Sequence, residues 1–242
     1  MKDEEISRKL VEWIKDKVEV AGAKGVVFGL SGGLDSAVVS LLCKTAFPDN
    51  SLAFMLPCHS VKEDIEDAVS FAEKFNIMYR IVKLSDHYDE LVKEFNKVIL
   101  AKTIDSNRGR TAFANIKPRL RMITLYYFAN LLNYLVVGTS NKSERMIGYF
   151  TKYGDGGMDI APLGNLLKTE VRDLAKHLGV PREIIDKPPS AGLWKGQTDE
   201  AEMGITYEDL DACLSGQKSM EKVDLMVKMS EHKRNLPDIP DL

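Results

Sequence analysis

Six consecutive residues, Ser31-Gly32-Gly33-Leu34-Asp35-Ser36, have the types and the spacing of a phosphate-binding loop. They stand between the apolar run 25–30, which predicts a buried strand, and the segment 37–42, which predicts a helix. Backbone N–H groups of a glycine-rich turn at a helix N-terminus bind anions. An aspartate beside phosphate oxygens is repelled unless a divalent cation lies between them. We therefore expect Asp35 to bind Mg²⁺ and the anion to be the pyrophosphate part of ATP.

This loop differs from two common phosphate-binding motifs. No lysine follows its glycines, as one does in P-loop NTPases, and it lacks the Gly-x-Gly-x-x-Gly of dinucleotide-binding folds. One alternative remains open, an ordinary Gly-Gly turn after which Asp35 and Ser36 cap the helix. A Ser-Gly-Gly-x-Asp-Ser sequence arises by chance in such a chain with a probability on the order of 3 in 10,000, which favours the phosphate loop.

The hydrophobic periodicity predicts the elements that position this loop. Four short β-rich strands are predicted, at 25–30, 51–56, 79–84 and 134–137. Among the helices between them, one begins at a capping box in 60–63, and another covers 118–132 after a polar loop through Gly109. Strands that alternate with helices indicate right-handed crossovers. We expect an α/β fold with a doubly wound, mostly parallel sheet in a single domain.

In an open sheet of this kind, ligands bind beyond the carboxyl ends of the strands, where the strand order reverses. We expect the first and fourth strands to flank that point. The fourth strand is followed by Gly-Thr-Ser-Asn-Lys-Ser-Glu at 138–144, which brings a hydroxyl and a carboxylate to the same crevice. Glu144 would then complete the metal site with Asp35. The same turn is also typical of a plain helix start, and this alternative remains open.

Composition and charge disfavour several classes of protein. The 33 Lys and Arg against 36 Asp and Glu give a net charge of −3, whereas nucleic-acid-binding domains usually carry a basic excess. No run of ~18 apolar residues is present, and the N-terminal residues lack the apolar core of a signal peptide. Cys43, Cys58 and Cys213 form no Cys-x-x-Cys pair. We expect a cytoplasmic protein with reduced thiols that binds neither nucleic acid nor membrane.

Further motifs along nearly the whole chain resemble those of one family. They are GTSNKSE at 138–144, TKYGDGG at 151–157, KPPSAGLW at 187–194, QTDE at 197–200 and EHKR at 231–234. With the phosphate loop they resemble the ammonia-dependent NAD synthetases, PP-loop ATP pyrophosphatases with an adenine nucleotide alpha-hydrolase-like fold. The resemblance implies that deamido-NAD, ATP and ammonia give NAD, AMP and pyrophosphate with Mg²⁺. The nicotinate carboxylate would be adenylated before ammonia adds.

The resemblance also assigns roles to individual residues. Asp35 and Glu144 match the Mg²⁺ ligands of the family. The positions that match its ATP contacts are Gly29, Leu30, Ser31, Gly32, Gly33, Leu34, Asp35, Ser36, Thr139, Lys168 and Ser190. The positions that match its deamido-NAD contacts are Arg119, Lys152, Asp159, His232 and Lys233. Taken alone, Arg119, Lys168 and His232 also fit ordinary surface positions. The family works as a homodimer that binds deamido-NAD across the subunit interface.

Two segments near the C-terminal end complete the expected organisation. The turn-rich segment 187–204 carries Ser190 and is predicted to be a mobile lid that keeps water from the acyl-adenylate, and helices are predicted within 206–235. Because Asp199 belongs to this lid, we hypothesise that its carboxylate is catalytic and helps to deprotonate incoming ammonium. Gly192 stands where many relatives have aspartate, so a contact made by that carboxylate is absent here.

Two other functions compete with this interpretation. A PP-loop enzyme that adenylates a tRNA base would usually carry a catalytic cysteine pair and a basic RNA-binding module, and neither is visible in the sequence. A non-catalytic nucleotide-binding α/β protein would use the glycine loop only to hold phosphate. In that case Asp35, Glu144 and Lys168 would be unnecessary, and substituting them would leave nucleotide affinity largely intact.

Overall fold

A sheet of four parallel strands organises the computed structural model, which describes residues 2–98, 106–194 and 196–240. The strands are β1 (Gly25–Gly29), β2 (Ser51–Met55), β3 (Tyr79–Ile81) and β4 (Tyr134–Val137). Their order across the sheet is β3-β2-β1-β4, so β1 pairs with both β2 and β4. The chain therefore reverses direction across the sheet between β1 and β4, which confirms the doubly wound prediction and its switch point.

Helices cover both faces of the sheet and form the C-terminal region. Before β4 they are α1 (Lys2–Val20), α2 (Leu34–Ala46), α3 (Lys62–Lys74), α4 (Ser85–Val98) and α5 (Ser106–Leu132). After β4 they are α6 (Lys142–Ile147), α7 (Lys168–His177), α8 (Arg182–Ile185), α9 (Asp199–Met203), α10 (Tyr207–Leu214), α11 (Glu221–Met229) and α12 (Glu231–Arg234). None of the helices in the described ranges has the length and apolar character that crossing a bilayer requires.

Side-chain alternation along β1 divides the core into two layers. Val26 and Phe28 point to one face, where α1, α2 and α7 pack, whereas Val27 points to the other, where α5 packs. All three side chains are fully buried. A third apolar cluster, built around Tyr207 and Leu210, joins the C-terminal helices to α6. Because β1 is buried on both faces, the loop that follows it is anchored on a rigid element.

Two of the predicted helix starts are wrong. The capping box at 60–63 does not form, because Ser60 Oγ accepts from the Cys58 amide and from Arg121, and Val61 precedes α3 without a side-chain cap. The second is α5, which begins at Ser106 and contains Pro118 rather than starting there, so Gly109 is helical. Conversely, Thr206 caps α10 by accepting from the Asp209 amide, as predicted. The last predicted helix is divided at Ser230 into α11 and α12.

Candidate active site

A cavity of about 770 Å³ opens where β1 and β4 end, a volume typical of a small-molecule site. The phosphate loop, the turn after β4, one face of α5 and the segment 187–193 line it. Every residue assigned from the sequence lines this cavity except two. The backbone of Gly32 faces α3 instead, and Asp159 binds the sheet edge, where it accepts from the Val136 amide (2.7 Å) and the Tyr126 hydroxyl (3.0 Å).

The phosphate loop leaves the N-terminus of α2 free to bind an anion. Gly32 has a φ of +82°, and a Cβ there would lie 2.5 Å from the Asp64 carbonyl oxygen, so only glycine fits. The helix begins after Gly33 without a side-chain cap. Ser36 Oγ donates to the Gly33 carbonyl (2.9 Å) and does not cap the helix, so the capping alternative for Asp35 and Ser36 is wrong. Uncapped amides at the positive end of a helix favour phosphate.

Behind the loop, Asp35 and Glu144 converge on the ammonium group of Lys168. Lys168 Nζ donates to Asp35 Oδ2 and to Glu144 Oε1 (3.1 Å), and its side chain is 3% exposed. Burial lowers the pKa of Lys168, but the two carboxylates outweigh this effect and hold the pKa above its usual value. Burial raises the pKa of Glu144 to about 7, an effect that Lys168 opposes and Asp35 strengthens. Lys168 therefore stays charged between the two carboxylates.

The two carboxylates suit a Mg²⁺ ion that arrives with a nucleotide. Within the described ranges, no three Asp, Glu, His or Cys side chains lie close enough to hold a metal by themselves. Mg²⁺ is commonly bound by one or two carboxylates together with substrate phosphates, so a pair of acids beside a phosphate loop is sufficient. The position between Asp35 and Glu144 already attracts a cation, the Lys168 ammonium.

Lys168 is the first residue of α7, and the contacts of this helix start position its side chain between Asp35 and Glu144. The Lys168 amide donates to Ser143 Oγ (2.9 Å), and the Thr169 amide donates to the buried carboxylate of Asp211 (2.9 Å). Asp211 lies on α10 and also accepts from the hydroxyls of Ser143 and Thr169. Asp211 thus accepts a hydroxyl donor from α6 and an amide and a hydroxyl donor from α7. These bonds fix the backbone that carries Lys168.

Asp199 lies in a second polar cluster beside the first. Its carboxylate accepts from the hydroxyls of Tyr149 (3.1 Å) and Tyr207 (3.0 Å). Burial raises the pKa of Asp199, while the hydrogen bonds from the two tyrosines act in the opposite direction. Tyr207 also reaches Glu144 Oε1 at 3.1 Å, so the two polar clusters share this hydroxyl. Asp199 therefore lies close to Glu144 but belongs to the predicted lid.

The other end of the cavity is basic. Arg119, Lys152, His232 and Lys233 all line it. Arg119 donates to the Lys152 carbonyl (3.2 Å), Lys152 donates to the His232 carbonyl (2.5 Å), and Lys233 donates to the carbonyls of Gly148 and Phe150. These bonds use main-chain oxygens, and the carboxylate that acts on Lys233 is that of Asp155. Such a surface suits an anionic substrate.

Sequence reasoning missed four polar residues around the site. Lys117 is buried on α5 and donates to the Leu193 carbonyl of the lid (2.7 Å), and burial lowers its pKa. Arg121, which received no role from the sequence, donates to the Leu56 carbonyl at the end of β2. Tyr207 and Asp211 lie on α10. No spacing in the sequence indicates that α10 folds back toward Glu144. The Pro-Arg-Leu-Arg run beside Lys117, in contrast, is a basic cluster that the sequence shows.

Comparison with known proteins connects this geometry to one family. The family model described as NAD synthase matches residues 6–237. The NH(3)-dependent NAD(+) synthetase of Carboxydothermus hydrogenoformans is 51% identical over 99% of this chain and 98% of its own. Among solved structures, the NMN synthetase of Francisella tularensis is 38% identical, with a TM-score of 0.91 over 99% of both chains. The NH3-dependent NAD synthetase of Campylobacter jejuni is 31% identical, with a TM-score of 0.78 over the full length of both.

Proposed function

This chain belongs to the NAD synthase family, and from this premise we propose that it converts deamido-NAD, ATP and ammonia to NAD, AMP and pyrophosphate. The observation that carries the proposal is the convergence of Asp35, Glu144 and Lys168 beside the free N-terminus of α2. A protein that only held a phosphate group would need the loop but not this buried cluster. A tRNA-modifying function has no observation in its favour.

The first chemical step joins the substrate carboxylate to the nucleotide. A nicotinate carboxylate is a poor electrophile, so its oxygen attacks the α-phosphorus of ATP, the bond to the β-phosphate breaks, and pyrophosphate leaves. Asp35 and Glu144 would hold the Mg²⁺ that neutralises the leaving pyrophosphate. The amides of the phosphate loop orient the β- and γ-phosphates, and Lys168 adds a fixed positive charge. Thr139 and Ser190 line the same cavity and are assigned to ATP.

The second step replaces AMP by ammonia. Neutral ammonia attacks the carbonyl carbon of the acyl-adenylate, a C–N bond forms, and the bond to the AMP oxygen breaks. We assign to Asp199 the removal of a proton from incoming ammonium, because its carboxylate lies in the cavity wall and has a raised pKa. The lid then keeps water, the competing nucleophile, away from the acyl-adenylate.

The basic end of the cavity holds the phosphates of the nicotinate substrate. We assign Arg119, Lys152, His232 and Lys233 to deamido-NAD. The likeness to the Francisella NMN synthetase favours a second candidate substrate, nicotinate mononucleotide, which shares the reacting carboxylate and one phosphate. We favour deamido-NAD, because relatives 44–52% identical over nearly the whole chain are NAD synthetases. A kcat/KM higher for the mononucleotide than for deamido-NAD would reverse this assignment while leaving the chemistry unchanged.

Ammonium chloride should support NAD formation, whereas glutamine freed of ammonium should not. Release of ammonia from glutamine needs an activated cysteine, and burial raises the pKa of both Cys43 and Cys58, which is opposite to activation. At saturating ATP and deamido-NAD and limiting total ammonium, the initial rate should rise toward alkaline pH because the neutral molecule attacks. The amounts of NAD, AMP and pyrophosphate are measured in the same reaction, and they should be equal.

An isosteric variant tests the role of Asp199 in that pH profile. Asp199→Asn keeps the size of the side chain and an oxygen for one of the two tyrosine hydroxyls, which bind different oxygens of Asp199, but it cannot accept a proton. Its rate at limiting ammonium should fall most near neutral pH and recover partly at alkaline pH, where solution supplies neutral ammonia. A uniform loss across the profile would contradict the base assignment, and equal NAD formation from glutamine would contradict the ammonia assignment.

The segment 187–204 should become more resistant to proteolysis when substrates bind. Its attachments are mainly side-chain contacts: Lys187 pairs with Asp64 and Asp67 on α3 (2.7 Å each), and Lys117 holds the Leu193 carbonyl. The part of the segment before α9 can open and close on these contacts, whereas Met203 of α9 packs in the apolar cluster around Tyr207. Chymotrypsin cleavage after Leu193 and Trp194 should slow at least several-fold with ATP and deamido-NAD present and ammonium absent.

Two lysine variants provide a test of these contacts and its matched control. Lys187→Met removes both pairs to α3 and should speed cleavage without substrates, whereas Lys176→Met removes only an exposed pair with Asp173 and should not. Cleavage that is equally fast with and without substrates would rule out a closing lid.

We also propose that two copies of the chain form the active enzyme. The inner face of α5 packs on the sheet, but Ile123, Tyr127 and Leu131 are spaced by four residues on its outer face and are 58–66% exposed. An apolar stripe of this kind suits a self-complementary interface. Sedimentation of the purified chain tests the assignment. The cytoplasmic location stays a prediction from the sequence.

A further inference from the structure

We propose that Tyr207, through its buried hydroxyl, is a positioning residue that holds Glu144 in its metal-binding orientation and links it to Asp199 of the lid. This proposal rests on the assignment of Asp35 and Glu144 to Mg²⁺. Tyr207 does not line the cavity, so it acts through the residues it contacts.

The hydroxyl of Tyr207 lies at the junction of the two polar clusters. It is 3.1 Å from Glu144 Oε1 and 3.0 Å from Asp199 Oδ2, and the residue is 1% exposed. The hydroxyl carries one proton, which it donates to one of the two carboxylates at a time. The Lys168 ammonium lies 5.0 Å from the centre of the ring. One side chain thus contacts a proposed metal ligand, the proposed base and the central cation.

Packing alone does not explain a tyrosine at this position. The ring fills an apolar cluster with Ile147, Met203, Ile205 and Leu210, where a phenylalanine would pack equally well. A buried hydroxyl is costly unless it is hydrogen-bonded, and here its possible acceptors are the two carboxylates. Asp211, one helical turn further along α10, holds Ser143 and Thr169 on the same side. One face of α10 therefore supports the whole cluster.

The Tyr207 hydroxyl connects a residue of the lid, Asp199, with a residue outside the lid, Glu144. Asp199 begins α9 inside the lid, while Glu144 lies on α6 in the fixed part of the site. Because the hydroxyl has one proton and two carboxylates within reach, a shift of Asp199 with the lid changes how fully that proton serves Glu144. Removal of that hydroxyl should loosen the metal site even though no metal-binding atom changes.

The experiment compares ATP affinity with and without metal by titration calorimetry. The affinity ratio, ATP with Mg²⁺ against ATP with EDTA, should fall about tenfold in Tyr207→Phe, the usual effect of losing a hydrogen bond to a charged group. kcat should fall by a similar factor, whereas the KM for deamido-NAD should stay unchanged because the Tyr207 hydroxyl makes no hydrogen bond to Arg119, Lys152 or Lys233. The thermal unfolding midpoint verifies that the variant is folded.

Tyr149→Phe is the matched control. It removes another hydroxyl that donates to Asp199, but one that contacts Glu202 instead of Glu144, so the Mg²⁺-dependent affinity ratio should match wild type. A fall as large as that of Tyr207→Phe would overturn the link through Glu144. Tyr207→Met, which removes the ring as well, serves where Tyr207→Phe is unstable. A wild-type ratio in whichever of the two Tyr207 variants folds would overturn the proposal.

The Mg²⁺ dependence of ATP affinity in the wild-type protein distinguishes a failure of this proposal from a failure of the metal assignment on which it rests. If Mg²⁺ does not increase ATP affinity even in wild type, the metal assignment to Asp35 and Glu144 fails and the role of Tyr207 fails with it. If wild type shows the increase and Tyr207→Phe retains it, only the positioning role is wrong.

Discussion

Asp35→Asn should lower turnover by at least ~100-fold while leaving the fold intact. The variant keeps the size of the side chain but removes the negative charge that meets Lys168 and the metal position. Loss of a metal-held charge on the leaving group removes several kcal/mol of transition-state stabilisation, and each ~1.4 kcal/mol is a factor of about ten in rate. The NAD formation rate at saturating substrates measures the loss, and circular dichroism verifies the fold. Excess Mg²⁺ should restore little activity.

A surface aspartate supplies the control for this substitution. Asp173→Asn alters an exposed carboxylate that pairs only with Lys176, so its turnover should stay near wild type. Near wild-type turnover in folded Asp35→Asn would contradict both the metal assignment and the catalytic role of the cluster. A nucleotide-binding protein without catalysis would instead form no NAD even as wild type and would keep its nucleotide affinity in Asp35→Asn.

The part of the fold that carries the phosphate loop follows from local sequence signals. β1 and α2 are apolar runs on either side of a glycine turn, and β4 was predicted at its observed bounds because buried parallel strands have continuous apolar stretches. The first and fourth strands were expected to flank the strand-order reversal where open sheets bind ligands, and the order β3-β2-β1-β4 confirms this. Residues on these elements, such as Asp35 and Thr139, could therefore be placed in one cavity from sequence.

The errors in the prediction have tertiary causes. Pro118 was assigned to a helix start because proline lacks an amide proton, but it lies in the middle of a helix of 27 residues that packs along β1 and β4. Ser60 has the spacing of a cap, yet a cation 61 residues away, Arg121, takes its hydroxyl. A local hydrogen-bonding rule cannot anticipate a partner that only the folded chain brings near.

The supporting residues of the site were hidden for the same reason. Tyr207 and Asp211 are ordinary residues of an amphipathic helix until α10 packs against α6 and α7. Nothing in their spacing distinguishes a ring that fills the core from a hydroxyl that orients two carboxylates. Lys168 is a similar case, because from the sequence alone it also fitted a surface position at the start of α7, whereas it is 3% exposed between two acids.

Lys168→Met should reduce both activity and stability, because it leaves Asp35 and Glu144 facing each other without the cation between them. Breaking a buried ion pair by removing one partner costs roughly 3–5 kcal/mol. Turnover should fall by ~100-fold or more, the effect of removing one fixed positive group from a charge-stabilising site. Urea unfolding and the NAD formation rate measure the two losses. Lys187→Met, which removes a partly exposed lysine from its pair of aspartates, should cost far less stability.

The loss of stability in Lys168→Met should depend on pH with a defined sign. Burial already raises the pKa of Glu144 to about 7 against an ordinary value of 4.5, and loss of the Lys168 charge raises it further. A carboxyl with a raised pKa in the folded state binds a proton more tightly there than in the unfolded chain. Its favourable contribution is therefore complete below about pH 4.5 and lost as the pH rises through and above 7. The variant should lose more stability relative to wild type at pH 8 than at pH 6.

A second substitution in the same cluster separates stability from catalysis. Adding Glu144→Gln to Lys168→Met removes one of the two buried like charges, so the double variant should recover much of the lost stability at pH 8. It should recover no activity, because neither the cation nor the second carboxylate is then present for the pyrophosphate. If the double variant were no more stable than Lys168→Met, the cluster would not be held together by charge. If Lys168→Met kept wild-type turnover, the lysine would serve only the fold.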